Sequence, residues 1–348
     1  MIKIGLAQIN FWVGDFEKNI KKIITFINKA KQNKLDLLIF PELSVVGYPP
    51  LDLLLNTQFI NKNLQFLNLI IKETKNLSCL VGFVNKKDKD IYNACAFISN
   101  RKLVSVYHKV KLEENIFFNE KRYFKEGSSP YIYEFKNYKF SISLGKELKH
   151  LYSYFKKNKV DFIVNPSCFP FYLGEFDSRK NFLSSLAKKI NSSILNCNLV
   201  GAQDELVFGG KSMLVSSLGE LILYGKGFEE ELLIFKFKLN KKYRAKKFLT
   251  DNMKDIFSAI SLGIYDYVRK SGFKKVILGV SGGLDSALVL TITTITLGKK
   301  NVKALIMPSR YTSMETFSDA KKICKKLGIE YFIIDIEEIF QTYLKILK

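Results

Sequence analysis

The sequence predicts an α/β protein of two domains, and three observations carry that prediction. Apolar residues switch between strand-like and helical spacing along most of the chain. From residue 251 onward strands and helices alternate with short turns, the pattern of a parallel, doubly wound sheet. Within that second stretch a glycine-rich turn joins an apolar strand to a helix. At 348 residues with 47% hydrophobic content, the chain has the material for two buried cores.

Residues 2–8 alternate as a strand. Phe16, Ile20, Ile23, Ile24, Ile27 and Ala30 then recur at helical spacing, and 35–40 reads as the next strand. That strand runs into Phe40-Pro41-Glu42-Leu43. A carboxylate just past a buried strand lies at a sheet edge, where sites in layered α/β folds gather. The plainer reading of Glu42 is a loop residue capping the next helix. A helix over 57–75 and a strand over 79–84 follow, then strands over 92–99 and 102–107 joined as a hairpin across Asn100-Arg101. Lys109 closes that hairpin in the same kind of place as Glu42, although alone it reads as one more surface lysine. Strands over 139–144, 160–165, 193–199, 212–217 and 232–238, with an amphipathic helix over 177–190, complete a first domain assigned to 1–240. Residues 241–250, rich in lysine, read as a linker.

The second domain, 251–348, opens with a helix over 253–271 and Gly272 as its cap. A strand ends at Gly279-Val280, and Ser281-Gly282-Gly283-Leu284-Asp285-Ser286 leads into a helix. Backbone N–H groups of such a turn, backed by a helix N-terminus, form a phosphate cradle. Gly-x-x-x-x-Gly-Lys-Ser/Thr is absent, so it is not the loop of kinase-like NTPases. The plainer reading is a tight turn with Asp285 and Ser286 as helix caps. A strand over 302–307, a helix over 315–327 ended by Gly328, a strand over 331–334 and a helix over 337–347 follow.

The formal net charge of +22 raises nucleic acid as a partner, yet only six of the 55 basic residues are arginine. Arginine is the preferred reader of bases and phosphates, and no arginine-rich tract with interleaved aromatics occurs. A solvated lysine coat is expected, with no nucleic-acid partner. No apolar run is long enough to cross a bilayer and no signal-peptide pattern opens the chain, so a cytoplasmic protein is expected. Five cysteines without metal-type spacing read as reduced, buried thiols, and two histidines leave little room for histidine or zinc chemistry.

Ser-Gly-Gly-x-Asp-Ser at 281–286 resembles the pyrophosphate loop of the N-type ATP pyrophosphatases. The first domain resembles the nitrilase (carbon–nitrogen hydrolase) superfamily, and the whole chain resembles the glutamine-dependent NAD+ synthetases. Residues 3–10, 40–55, 119–124, 201–208 and 307–311 carry the resemblance in the family's order. It implies a nitrilase-like αββα sandwich followed by a partial doubly wound domain of the adenine nucleotide alpha-hydrolase type. It implies ATP held by Gly279, Val280, Ser281, Gly282, Gly283, Leu284, Asp285 and Ser286, with Mg2+ on Asp285. Deamido-NAD+ and ammonia would be substrates, and a homo-oligomer is expected.

In the superfamily a glutamate takes the thiol proton, a cysteine attacks the amide carbonyl and a lysine stabilises the oxyanion. Matched here, the base is Glu42 and the lysine is Lys109, while the nucleophile's position is Gly145. Pocket positions differ too, with Asn115 and Glu175 where the family has tyrosine and lysine, near the turn ending at Ser167. The expectation is a first domain that does not hydrolyse glutamine and a ligase fed by ammonia. The family's second domain extends further than 251–348, so a separate C-terminal synthetase fragment is a further expected partner. Two rivals remain at this point: a non-catalytic remnant or scaffold, and a tRNA-modifying enzyme using the same loop.

Overall fold

The computed structural model describes residues 1–114, 116–238, 243–248 and 250–347. The chain divides into two compact units, Met1–Asp255 and Ile256–Lys348.

In the first unit β1 (Ile2–Gln8) and α1 (Phe16–Gln32) lead to β2 (Leu37–Ile39), α2 (Thr57–Glu73) and β3 (Ser78–Lys87). The hairpin β4 (Asp90–Ser99) and β5 (Lys102–His108) follows, then β6 (Ile132–Phe135), β7 (Tyr138–Ile142), α3 (Tyr152–Lys157) and β8 (Phe162–Ser167). Next come α4 (Glu175–Ile190), β9 (Ser193–Asn198), the ribbon β10 (Val200–Gln203) and β11 (Leu206–Gly209), β12 (Met213–Val215), β13 (Leu221–Tyr224) and β14 (Glu231–Phe237). Two six-stranded sheets result, ordered β14-β1-β2-β3-β4-β5 and β13-β12-β9-β8-β7-β6.

Alternation in β1 explains the layering. Ile2, Ile4 and Leu6 enter one core with Leu37, Ile39 and Leu80, and meet Phe140, Ile142, Phe162 and Val164 of the second sheet. Ala7, with Leu38, Cys79 and Val81, faces the opposite way into a core closed by Ile20, Ile23 and Ile27 of α1 and Ile60, Leu67 and Ile70 of α2. Leu183, Ala187 and Ile190 of α4 cover the second sheet. The result is a helix–sheet–sheet–helix sandwich, with Phe140 and Phe162 stacked at 5.4 Å in its middle.

Three central strands in each sheet run parallel, β1-β2-β3 and β7-β8-β9. Parallel strands end at one edge, and there Glu42 follows β2 while Gly145 follows β7. The hairpin turns at Asn100 and Arg101, both in the left-handed region (φ 46° and 65°), the backbone that a two-residue turn between twisted strands demands. β6, β10, β11 and β13 and the short helix α3 are additions that the sequence reading passed over, each strand being four residues long. Lys241 and Lys242 of the expected linker lie outside the described residues.

The second unit begins with α5 (Asn252–Lys270), whose first four residues belong to the unit before it. β15 (Val276–Gly279), α6 (Leu284–Leu297), β16 (Val302–Ile306), α7 (Met314–Leu327), β17 (Glu330–Ile333) and α8 (Glu337–Ile346) follow. Its three strands are parallel, ordered β15-β16-β17. Val302, Ala304 and Ile306 alternate into a core with Leu290 and Leu297 of α6 and Ala320 and Cys324 of α7. Gly328, at φ 66°, ends α7 in the left-handed conformation that a Cβ disfavours.

Candidate active site and nucleotide loop

Glu42, just past β2, owes its place to a glycine on the adjacent strand β3. A Cβ on Gly82 would lie 2.4 Å from Leu43 N and 2.5 Å from Pro41 O, so only glycine lets the Glu42 loop lie against β3. Phe40 N donates to Leu80 O at 2.9 Å and Val45 N to Gly82 O at 3.1 Å, pinning the loop on both sides. Lys109 follows β5, and its N–H donates to Asn93 O at 2.8 Å. Gly145 follows β7, and Asn165 Nδ2 donates both to Ser143 O at 2.8 Å and to Gly145 O at 2.9 Å.

Lys109 Nζ donates to Glu42 Oε1 at 2.9 Å and to Glu120 Oε1 at 2.9 Å. Asn93 Nδ2 bridges the same two carboxylates, at 2.8 Å and 2.7 Å. All three charged side chains are at most 3% exposed. Burial lifts Glu42 above the usual carboxylate range, although Lys109 pulls against it. Burial also draws Lys109 down, yet Glu42 and Glu120 together carry it above the usual lysine range. The ammonium is therefore fixed as a cation, and Glu42 becomes a stronger base than an exposed carboxylate.

Gly145 faces this cluster. A Cβ built on it would lie 2.9 Å from Glu42 Oε2 and 3.3 Å from Lys109 Nζ. No side chain occupies that point, so base and cation flank an empty position. Behind it, Glu147 accepts from Leu144 N at 2.6 Å, Val110 N at 2.6 Å and Tyr107 Oη at 2.7 Å, tying the Gly145 and Lys109 segments together. Burial pushes Glu147 up to about 7, against the Leu144 N–H that favours its carboxylate.

A cavity of about 410 Å³ opens from this point, and Tyr48, Phe117, Cys168, Phe169 and Leu206 supply much of its apolar wall. Cys168 is the thiol that reaches the cavity, but its Sγ donates to the backbone carbonyl of Glu42 at 3.4 Å. Burial drives that thiol well above the ordinary cysteine value, and the Glu42 carboxylate adds to the effect. A protonated thiol spent on a peptide oxygen is a poor nucleophile. Ser141 donates to Tyr131 O, and neither it nor Ser143 lines the cavity.

Glu175 lines the cavity, 3% exposed, with Arg179 Nε 2.9 Å from its Oε1. Ser167 does not line it. Its hydroxyl donates to Asn198 Oδ1 at 3.1 Å and accepts from Asn196 Nδ2, which turns it into the sheet. Asn115 lies outside the described residues. Sequence reasoning missed Glu120 and Asn93 as members of the cluster. The only signal for Glu120 was its place inside the Asn119–Phe124 stretch.

Removing the cation is costly here. Lys109→Met should destabilise the chain by about 3–5 kcal/mol, because two buried glutamates would share the site without a counter-charge. Chemical denaturation checks this against Lys111→Ala, an exposed lysine whose loss should shift stability by no more than about 0.5 kcal/mol.

In the second unit, β15 ends at Gly279, and Val280 N donates to Leu305 O at 2.9 Å. The turn is shaped by its own hydroxyls: Ser286 Oγ donates to Gly283 O at 3.0 Å, and Gly283 N donates to Ser281 Oγ at 3.3 Å. Gly282, at φ 89°, passes so near α7 that a Cβ there would fall 2.0 Å from Thr316 O. Leu284 is 83% exposed and Asp285 is exposed at the start of α6. Met307 reaches within 3.6 Å of a Cβ built on Gly279, so the two β-strand ends adjoin. Arg310 is held by Glu337 at the start of α8, Nε donating to Oε1 at 2.9 Å. Among the described residues no cluster of three or more His, Cys, Asp or Glu could hold a metal, and no helix is long and apolar enough to cross a membrane.

Comparison with known proteins agrees with both halves. The profile of the carbon-nitrogen hydrolase family matches residues 3–247, and that of NAD synthase matches 256–348. A glutamine-dependent NAD(+) synthetase of Thermotoga maritima is 38% identical, aligned over 100% of this chain and 67% of its own length. That of Aquifex aeolicus is 34% identical, over 99% of this chain and 67% of its own. The solved glutamine-dependent NAD+ synthetase of Acinetobacter baumannii, in complex with ADP, superposes with a TM-score of 0.94 at 33% identity, covering 99% of this chain and 67% of that one. An amidase of the nitrilase superfamily from Nesterenkonia shares the fold of the first unit, with a TM-score of 0.60 at 18% identity over 67% of this chain. The chain thus spans about two thirds of the length of the curated relatives it matches.

Proposed function

Since the chain belongs to the glutamine-dependent NAD+ synthetase family, we propose that it serves ATP-dependent amidation of deamido-NAD+ with ammonia, not glutamine, as nitrogen source. ATP would adenylate the nicotinate carboxylate, pyrophosphate would leave, and ammonia would displace AMP to give the amide.

One observation carries the choice of nitrogen source. Gly145 presents only hydrogen to the point between Glu42 Oε2 and Lys109 Nζ, so nothing there can attack an amide carbonyl. Glu42 remains a base without a thiol to deprotonate, and Lys109 an oxyanion donor without an oxyanion. Glutamine would then release no ammonia, and ammonia must arrive free or from another protein.

For the ligase half, the reading rests on the turn at 281–286. The turn runs into the N-terminus of α6, which favours an anion, and its Ser281 and Ser286 hydroxyls stand 3.2 Å apart; Ser281 N and Gly283 N each donate to one of these hydroxyls at 3.3 Å, long bonds that a pyrophosphate would replace. One exposed carboxylate, Asp285, is what the turn offers a cation, and among the described residues no cluster of three or more His, Cys, Asp or Glu could hold one unaided, so Mg2+ would be held only together with the phosphates it accompanies. When bound, it would neutralise charge on the leaving pyrophosphate. Asp285 would hold it, and the Gly282–Gly283 backbone would approach the phosphates closely.

Calorimetric titration of ATP with Mg2+ into the chain tests this. Saturable binding at one site is expected, weakened at least about tenfold by Asp285→Ala. Absence of binding would favour a remnant or scaffold. In an NAD+ formation assay supplied with a complementing C-terminal synthetase fragment, ammonium chloride should support turnover and glutamine should not.

A further inference from the structure

The outer face of α6 is built unlike that of its neighbour. Both α6 and α7 pack into one core against Val302, Ala304 and Ile306 of β16. α7 meets water with Lys322, Lys325 and Lys326, all exposed. α6 does the opposite: 25% of the chain is charged, yet nothing from Ser286 to Gly298 is. Leu288 is 56% exposed and Ile295 61%, and Leu284 is more exposed still. Thr291 turns its hydroxyl back on its own helix, donating to Ala287 O at 2.7 Å. A helix that is apolar all round is ordinarily covered all round.

The spacing fits a second helix. Leu284, Leu288, Thr291 and Ile295 stand four, three and four residues apart, the step of a coiled-coil seam. The seam is also symmetric. Leu288 and Ile295 are equidistant from the point between Thr291 and Ile292, and so are Leu284 and Lys299. A copy lying antiparallel about that point sets each Leu288 against the other's Ile295. Charge at the two ends agrees with that direction. Asp285 opens the helix and Lys299 and Lys300 follow it, all exposed. Antiparallel copies therefore bring opposite charges together, whereas parallel ones would bring like charges together. At a formal net charge of +22, two copies need an uncharged meeting place, and α6 supplies one.

We propose that two copies of this chain pair through α6, antiparallel about a two-fold axis between Thr291 and Ile292. Pairing also equips the nucleotide turn. No lysine stands in 281–286, and the chain's own Lys299 lies about 22 Å along the helix from Leu284. The antiparallel copy brings the partner's Lys299 and the partner's Lys300 beside that turn, where an ammonium can meet a polyphosphate. This second part rests on the nucleotide reading given above. The pairing itself does not.

Disulfide cross-linking of the full chain tests the pairing, since the native cysteines are buried. Thr291→Cys should form a covalent dimer under mild oxidation at least about tenfold faster than Leu284→Cys. Two copies of residue 291 face each other within the roughly 7 Å that a disulfide spans, whereas two copies of residue 284 stand about 22 Å apart. Leu288→Cys mixed with Ile295→Cys should cross-link at least about threefold faster than either variant alone. Adding Ile295→Glu to Thr291→Cys should slow dimer formation at least about fivefold, and its exposed position keeps the fold. Equal rates at 291 and 284, or no effect of Ile295→Glu, would overturn the pairing. For the lysines, Lys299→Ala combined with Lys300→Ala should weaken calorimetric binding of ATP with Mg2+ at least about threefold. Unchanged binding would overturn their contribution. Absence of ATP binding by the wild-type chain would overturn it together with the nucleotide reading, and the cross-linking result would still decide the pairing.

Discussion

Gly145→Cys is expected to create a thiol that haloacetamides alkylate at neutral pH at least about 10³-fold faster than any native cysteine. The five native thiols set a low baseline. Cys79, Cys95, Cys168 and Cys197 are buried, and burial raises each thiol far above its ordinary value. Cys324 is buried and raised as well. A side chain leaving Gly145 would instead start 3.3 Å from the Lys109 ammonium, which stabilises a thiolate, and 2.9 Å from the Glu42 carboxylate, which can take its proton. The substitution has a cost: φ is 55°, a conformation worth about 1–2 kcal/mol against any residue with a Cβ. The close carboxylate oxygen is the far end of a side chain and can move by a few tenths of an ångström. Mass spectrometry of the alkylated chain reads the outcome. A variant thiol no faster than the native ones would show that the charged pair no longer supports a nucleophile.

Gly282→Ala carries the second large effect. Its Cβ would fall 2.0 Å from the backbone oxygen of Thr316, where no flexible side chain can yield. The left-handed φ of 89° adds strain to the clash. Either the turn opens or α7 moves away from it, and both destroy the geometry offered to a polyphosphate. A stability loss of about 2–4 kcal/mol is expected, together with loss of measurable ATP binding. Gly283→Ala is the control, because its Cβ would meet only Ser281 Oγ at an ordinary 3.5 Å. Equal effects from the two alanines would contradict the close approach to α7.

Much of the fold was legible because its signals are local. The 2.0 and 3.6 periods marked β1, α1, α2 and the parallel strands, and Asn100-Arg101 marked the hairpin turn. Short strands such as β10, β11 and β13 escaped because four residues hold too little alternation to read. Glu42, Lys109 and Gly145 were visible as three strand ends, and the fold brings them to one cavity. Glu120 and Asn93 were not visible as members of the cluster. Asn93 is 51 residues from Glu42 in sequence and meets it only through sheet pairing. Gly82 gave no sign of its role either, since the atoms it makes room for belong to another strand's loop. Glu175 read as a departure in a binding pocket, and its pairing with Arg179 one helical turn on shows how the exchange is tolerated.

The most direct measurement incubates the chain with glutamine labelled at the amide nitrogen and follows labelled ammonia and glutamate. No release above the buffer blank is expected, a deficit of about 10⁶-fold against a cysteine-bearing enzyme. Release that scales with protein concentration would contradict it, and its disappearance in Cys168→Ser would identify the thiol responsible.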